Sequence, residues 1–178
     1  VRSLKISEGR VELDGRTVFS SDAGFDAFIR EAFRSRGSAN MKFYKMDSAC
    51  KLAYVAAEWI LDGIEFGEEE CAVLMSGRYG SLDTDMNHQS IIDREGDDYA
   101  APSVFVYTLP NVAAAEISIR HHIKGENIWF SDTPMAELRH QAELASARES
   151  LNYCLVGRSD FINGEYLAIF ELLRFGEV

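Results

Sequence analysis

This chain is short of positive charge and of cysteine. Its 178 residues carry 18 Lys and Arg against 29 Asp and Glu, a formal net charge of -11. A surface that acidic repels phosphates, so nucleic acid is excluded as an expected partner. The three cysteines, Cys50, Cys71 and Cys154, are odd in number, far apart and set in apolar runs. Neither a disulfide framework nor a zinc site is built that way, and the usage points to a reduced, cytoplasmic setting. No apolar run approaches the roughly 20 residues of a membrane span. The N-terminus alternates polar and apolar residues where a signal peptide would have a charged region and then an apolar one. The first residue is Val, which leaves room for residues upstream. Internal repeats and low-complexity segments are lacking. Asp83-x-Asp85-x-Asn87 begins like a calcium loop, but the required glycine and terminal glutamate are missing, with Arg94 at the twelfth position. No metal and no cofactor are therefore expected.

What remains is apolar enough to fold. Hydrophobic residues make up 47% of the chain, sufficient for one domain over residues 1–178. Residues 1–20 alternate, with Leu4 and Ile6, then Val11 and Leu13, and a turn at Asp14-Gly15, which predicts an N-terminal hairpin or small meander. Ser21-Asp22 reads as the cap of a helix with Phe25, Phe28, Ile29 and Phe33 on one face. Asp47 caps the next, which carries Ala49, Leu52, Ala53, Ala56 and Ile60 and stops at Gly63. Cys71–Met75 is a continuous apolar run, the mark of a strand buried on both faces. Residues 78–101, including Asp97 and Asp98, read as a polar excursion with a short helix near Asn87–Ile92.

Pro110 suits the first turn of a helix through Val112, Ala113, Glu116, Ile117 and Arg120. Arg120, His121, His122 and Lys124 put positive charge at its C-terminus, where Gly125 stops it. Ile128–Phe130 is a short strand. A helix follows, with Thr133 as cap, Pro134 at the first position, and Met135, Leu138, Ala142, Ala145 and Leu151 inward. Tyr153–Val156 is a second buried strand closed by Gly157, and after a turn at 161–164 a last strand, 166–175, runs back antiparallel. The order implies an α/β fold, a mixed, mainly parallel sheet covered by helices, with the N-terminal hairpin added.

A strand that ends at a helix N-terminus is where α/β proteins often place reactive groups or anions. Here that place is Ser131-Asp132-Thr133-Pro134. A hydroxyl nucleophile needs an adjacent base, and the nearest histidine, His140, lies about two helical turns downstream. The residues favour a helix cap. His121 and His122 are adjacent on a helix, so they face different directions and do not share an ion. A second feature is basic: Arg30, Arg34, Arg36, Lys42, Lys45 and Lys51 gather beside only Glu31 and Asp47. Against an acidic background this segment is either an ordinary solvated surface or a dock for an acidic protein.

Three segments also resemble a known family. Phe43-Tyr-Lys-Met-Asp-Ser-Ala-Cys-Lys-Leu-Ala-Tyr-Val-Ala-Ala-Glu58, Ser81-Leu-Asp-Thr-Asp85, and Pro102 through Trp129 are similar to the N-terminal half of the β-ketoacyl-acyl carrier protein synthases. In the last segment Pro110-Asn111 and Lys124-Gly125 carry the likeness. The resemblance covers about residues 41–158 and implies the thiolase-like fold, which is built from two similar halves. Such enzymes condense acyl chains held on a carrier protein, with loss of carbon dioxide. Their cysteine nucleophile falls on Pro134 here, so the chain lacks both the thiol and, at that position, a backbone N–H. Their two catalytic histidines come from the C-terminal half; His88, His121, His122 and His140 lie in other segments. The family's glycine-rich first strand is not recognisable near Val1.

The resemblance therefore implies no catalytic residue and a degenerate site at Ser131, Asp132, Thr133 and Pro134. It implies a dimer strand at Asn127, Ile128, Trp129 and Phe130, while the charge of the basic segment makes Arg30, Arg34, Arg36, Lys42 and Lys45 the candidates for docking an acidic carrier protein. Two functions stay open. One is a non-catalytic partner, in a homodimer or in a heterodimer with a full-length ketosynthase, serving fatty-acid, polyketide or polyene assembly. The other is a 3-oxoacyl-acyl carrier protein synthase or acyltransferase whose site is rebuilt or completed by a partner.

Overall fold

The computed structural model describes residues 1–96 and 102–176. Its frame is one seven-stranded sheet in the order β3-β2-β1-β7-β6-β4-β5. The expected N-terminal meander is present as β1 (Arg2–Ser7), β2 (Arg10–Leu13) and β3 (Arg16–Ser20). Its turns at Glu8-Gly9 and Asp14-Gly15 use left-handed backbone. The pairing of β2 with β3 shifts register between Val11 and Glu12, a bulge that twists this end of the sheet.

Helix α1 (Phe25–Ser35) buries Phe28, Ile29, Ala32 and Phe33. Its N-cap is Gly24, without a side-chain bond, so the Ser21-Asp22 cap is corrected. A 3-10 turn at Met41–Lys45 leads into α2 (Ser48–Ile60), where the Asp47 side chain accepts from Cys50 N at 2.8 Å, as its sequence position predicts. Every α2 residue from Leu52 to Ile60 is buried. Such all-round burial follows from packing against α1 and the sheet on different sides. Strand β4 (Cys71–Gly77) is buried throughout, as its unbroken apolar run requires.

Helix α3 (Leu82–Glu95) is longer than the turn or two expected at Asn87–Ile92. It buries only Thr84, so hydrophobic spacing could not reveal its length, while Asp83 and Asp85 in its first turn favour it electrostatically. The remainder of the polar excursion, 97–101, falls outside the described residues. Helix α4 (Pro102–Phe105) and a 3-10 turn at Val106–Thr108 precede α5 (Val112–His121). Asn111 stands at the α5 N-cap with Pro110 just before it. Helix α5 ends with His122 in the left-handed conformation, so the stop precedes Gly125. Gly125 serves a different purpose: a Cβ there would lie 2.3 Å from the Cys71 carbonyl oxygen, beside the start of β4.

Strand β5 (Asn127–Ser131) is followed by α6 (Met135–Glu149), then by the hairpin β6 (Tyr153–Ile162) and β7 (Glu165–Arg174). β4 pairs in parallel with β5 and with β6, while the other four pairings are antiparallel. The sheet is mixed, as expected. Its parallel part is narrower than the buried runs suggested, because β7 returns beside β6 and the meander joins β7 through β1. Helices α1, α2 and α5 cover one face of the sheet over the main core; α6 covers β4 and β6 on the other over a smaller one. No helix among the described residues is long and apolar enough to cross a membrane.

Candidate functional site

The parallel strands β4 and β5 end side by side, Gly77 opposite Ser131, and β6 brings Arg158 level with Ser76. The turn from β5 into α6 is built at that triple end. Asp132 adopts a left-handed backbone, φ 45°, a conformation that costs energy in a residue with a side chain. It is held from both sides. Asp132 N donates to the Gly77 carbonyl at 3.0 Å, and Thr133 N donates to Ser76 Oγ at 2.7 Å. From β6, Arg158 donates to Asp132 Oδ1 at 2.9 Å and to the Thr133 carbonyl at 3.2 Å. Asp160, two residues on, accepts from the amides of Arg78 and Tyr79 at 2.6 and 3.0 Å.

The consequence is chemical. An oxyanion needs amide donors that are free to meet it. Here the amides of Asp132 and Thr133 are already used, and Pro134 has none. The Thr133 hydroxyl bonds the Ser131 carbonyl at 3.3 Å. No histidine hydrogen-bonds Ser131 or Thr133 among the described residues; His140 faces Glu143 on α6 instead. The expected Thr133 cap is corrected as well: the N-cap is Pro134, with no side-chain bond, and α6 begins at Met135. The cysteines give no substitute nucleophile. All three are buried, and burial raises the thiols of Cys50, Cys71 (to about 12) and Cys154.

Arg158, Ser76 and Asp160 were not singled out from the sequence. The signal was Arg158-Ser159-Asp160 following a buried apolar run without a turn. A strand that continues into charged residues carries them to the sheet's end.

Strand β5 is the last strand in the sheet, paired with β4 on one side only. Ile128 and Phe130 lean on the core beneath α6, and Trp129 leans on the opposite core. Asn127 donates to Ser118 Oγ of α5 at 2.7 Å. Glu126 O accepts from Val73 N and Asp132 N donates to Gly77 O, so the even-numbered residues point their backbone groups at β4. By alternation the backbone groups of Asn127, Trp129 and Ser131 point outward.

The basic segment is divided by its partners. Arg36 pairs with Asp62 and lies 4.9 Å from the centre of a Trp59 ring, and Lys42 bonds the buried Glu116 at 2.6 Å. Arg34 donates to the Tyr44 hydroxyl at 3.3 Å, and Arg30 to the Asp26 carbonyl. Arg30, Arg34 and Lys45 have no carboxylate partner among the described residues. One further polar cluster stands apart. Glu58, inside α2, receives two bonds from Arg120, at 2.8 and 3.4 Å, and one from the Ser38 hydroxyl. His121 Nε2 is 3.2 Å from the same carboxylate without hydrogen-bond alignment.

No protein-family model matches this chain, and no curated protein does. Solved structures do. The chain superposes on the ishigamide ketosynthase/chain length factor with a TM-score of 0.71 at 15% identity, covering 98% of this chain and 61% of that one. A ketosynthase in complex with its chain length factor from Xenorhabdus doucetiae gives 0.65 at 13% identity, with 99% and 78% covered. A type II polyketide acyl-carrier protein in complex with its ketosynthase gives 0.66 at 14%, with 97% and 62% covered. The chain thus spans about three fifths of the length of the first and third of these. The likeness is one of fold: this chain has the thiolase-like fold of ketosynthases and chain length factors.

Proposed function

We propose that the chain is a non-catalytic, ketosynthase-like binding partner, working in the assembly of a fatty-acid, polyketide or polyene chain in the cytoplasm. The observation that carries this reading is the occupied turn at Asp132-Thr133-Pro134. Where the resembled enzymes hold a thiol at a helix N-terminus, this chain has proline, and the neighbouring amides are bonded to Gly77 and Ser76.

The partner meets the open edge of β5. Its outward groups lie on Asn127, Trp129 and Ser131, and the strand contains no charged residue. Laid antiparallel on a second copy and centred on Trp129, it sets Asn127 against Ser131 and Ile128 against Phe130. The next pair is Glu126 against Asp132, like charges that each already have an arginine, Arg148 and Arg158. Self-pairing is therefore free of charge conflict, and a full-length ketosynthase offering the same kind of strand fits equally. The Xenorhabdus structure, a ketosynthase with its chain length factor, is an assembly of the proposed kind. Of the five basic candidates, Arg30, Arg34 and Lys45 are left to meet an acidic carrier protein, since Arg36 and Lys42 are engaged within the chain.

The test is to incubate the chain with acyl-loaded carrier protein, alone and with a co-expressed ketosynthase, and weigh every species by intact mass. The reading expects co-purification with the ketosynthase and an unmodified mass for this chain. An acyl adduct on Ser131, Thr133 or a cysteine would establish the acyltransferase reading instead.

A further inference from the structure

Between the 3-10 turn at Met41–Lys45, α3, α4 and α5 lies a cavity of about 780 Å3, within the range of roughly 300–1,000 Å3 usual for small-molecule sites. Met46, Val104, Val106 and Tyr107 give it a mostly apolar wall. Its polar groups divide by type. The acceptors are already used: Glu116 is bonded by Lys42 at 2.6 Å, and Asp47 accepts from the Thr84 hydroxyl and caps α2 through Cys50 N. The donors are not. Lys45, the Ser103 hydroxyl and the Tyr107 hydroxyl have no hydrogen-bond partner among the described residues. Desolvation raises the Tyr107 phenol to about 12, so it stays protonated and a donor at neutral pH. Burial also raises the Asp47 carboxyl, against the opposing bonds from Thr84 and Cys50 N.

Apolar walls with donors left over fit a molecule that is apolar along its length and carries acceptors at one end. Because the Lys45 ammonium is the one lining charge with neither an ion-pair nor a hydrogen-bond partner among the described residues, those acceptors belong on an anion. We propose that this cavity binds an amphiphilic carboxylate, its chain against Met46, Val104 and Val106 and its head paired with Lys45. The site is separate from the β5 edge and from the β5–α6 turn. It shares Lys45 with the proposed carrier-protein surface, so the titration uses the chain alone, where only the cavity is read.

Calorimetric titration with decanoate, below its aggregation concentration, tests the proposal, with decanol and decylamine as the neutral and cationic counterparts. Decanoate is expected to bind about tenfold or more tightly than decanol, the worth of a charge-assisted bond, and decylamine not at all. Lys45→Gln, at an exposed position, should bring decanoate down to the affinity of decanol. Val106→Asp, at the half-exposed wall, should abolish binding, with circular dichroism verifying that both variants remain folded. Failure of decanoate to bind, equal binding of decylamine, or an unchanged affinity in Lys45→Gln would each overturn it.

Discussion

At the scale of single residues, Gly157 shows how one position can be read in two ways. A glycine after an apolar run predicts the end of a strand, yet β6 continues through it to Ile162. The reason lies across the hairpin. A Cβ at Gly157 would sit 2.4 Å from the ring of Phe170, which is fully buried on β7. The missing side chain makes room for an aromatic one. Gly157→Ala should therefore lower stability by about 1–3 kcal/mol, since a packed ring must shift to admit a methyl group. Urea denaturation would show it as a lower midpoint at an unchanged slope; an unchanged midpoint would contradict the account. From the sequence the two roles of glycine look alike, because the ring that decides between them arrives from a different strand.

At the scale of elements, α2 and α5 are tied by a polar cluster around Glu58, the one charged residue among those that α2 buries. Burial on its own would raise the Glu58 carboxyl. Contact with His121, the two bonds from Arg120 and the Ser38 hydroxyl outweigh it and hold the group down at about 2. Because the folded value lies below the ordinary carboxylate value of 4.5, the tie contributes stability above that value. The contribution is lost as pH falls from there toward 2, and amounts to about 3 kcal/mol at most. Glu58→Gln should flatten the stability profile in that window and lower stability at neutral pH, both readable from denaturation midpoints measured between pH 7 and 3. Sequence periodicity made α2 and its Asp47 cap legible. It gave no sign of which cation Glu58 would meet, since Arg120 lies 62 positions away. An acid in the last turn of a helix otherwise apolar and buried was the available clue.

For the molecule as a whole, strand positions were legible and strand order was not. Alternation marked the meander and unbroken apolar runs marked β4 and β6. That β1 lies between β2 and β7 depends on pairing Leu4 with Phe170, which no local pattern encodes. The candidate site divides in the same way: that Pro134 offers neither a thiol nor a backbone N–H was readable from the sequence, whereas the Arg158 clamp required β6 to be placed beside β4. The sheet has two free edges, and they differ. β3 carries Arg16 and pairs across the bulge at Val11-Glu12, both features that discourage a neighbouring strand. β5 has no such guard. Ser131→Pro removes an outward N–H and spares every bond to β4, so it should weaken association at least about tenfold while the monomer melts nearly as before. Sedimentation across a concentration series would measure it, and an unaffected dimer would exclude the β5 edge. The difference between the edges also bears on the stoichiometry of the proposed assembly. A sheet with one receptive margin adds one neighbour and is then closed, so the proposed pairing is expected to stop at two and not to propagate into a fibre.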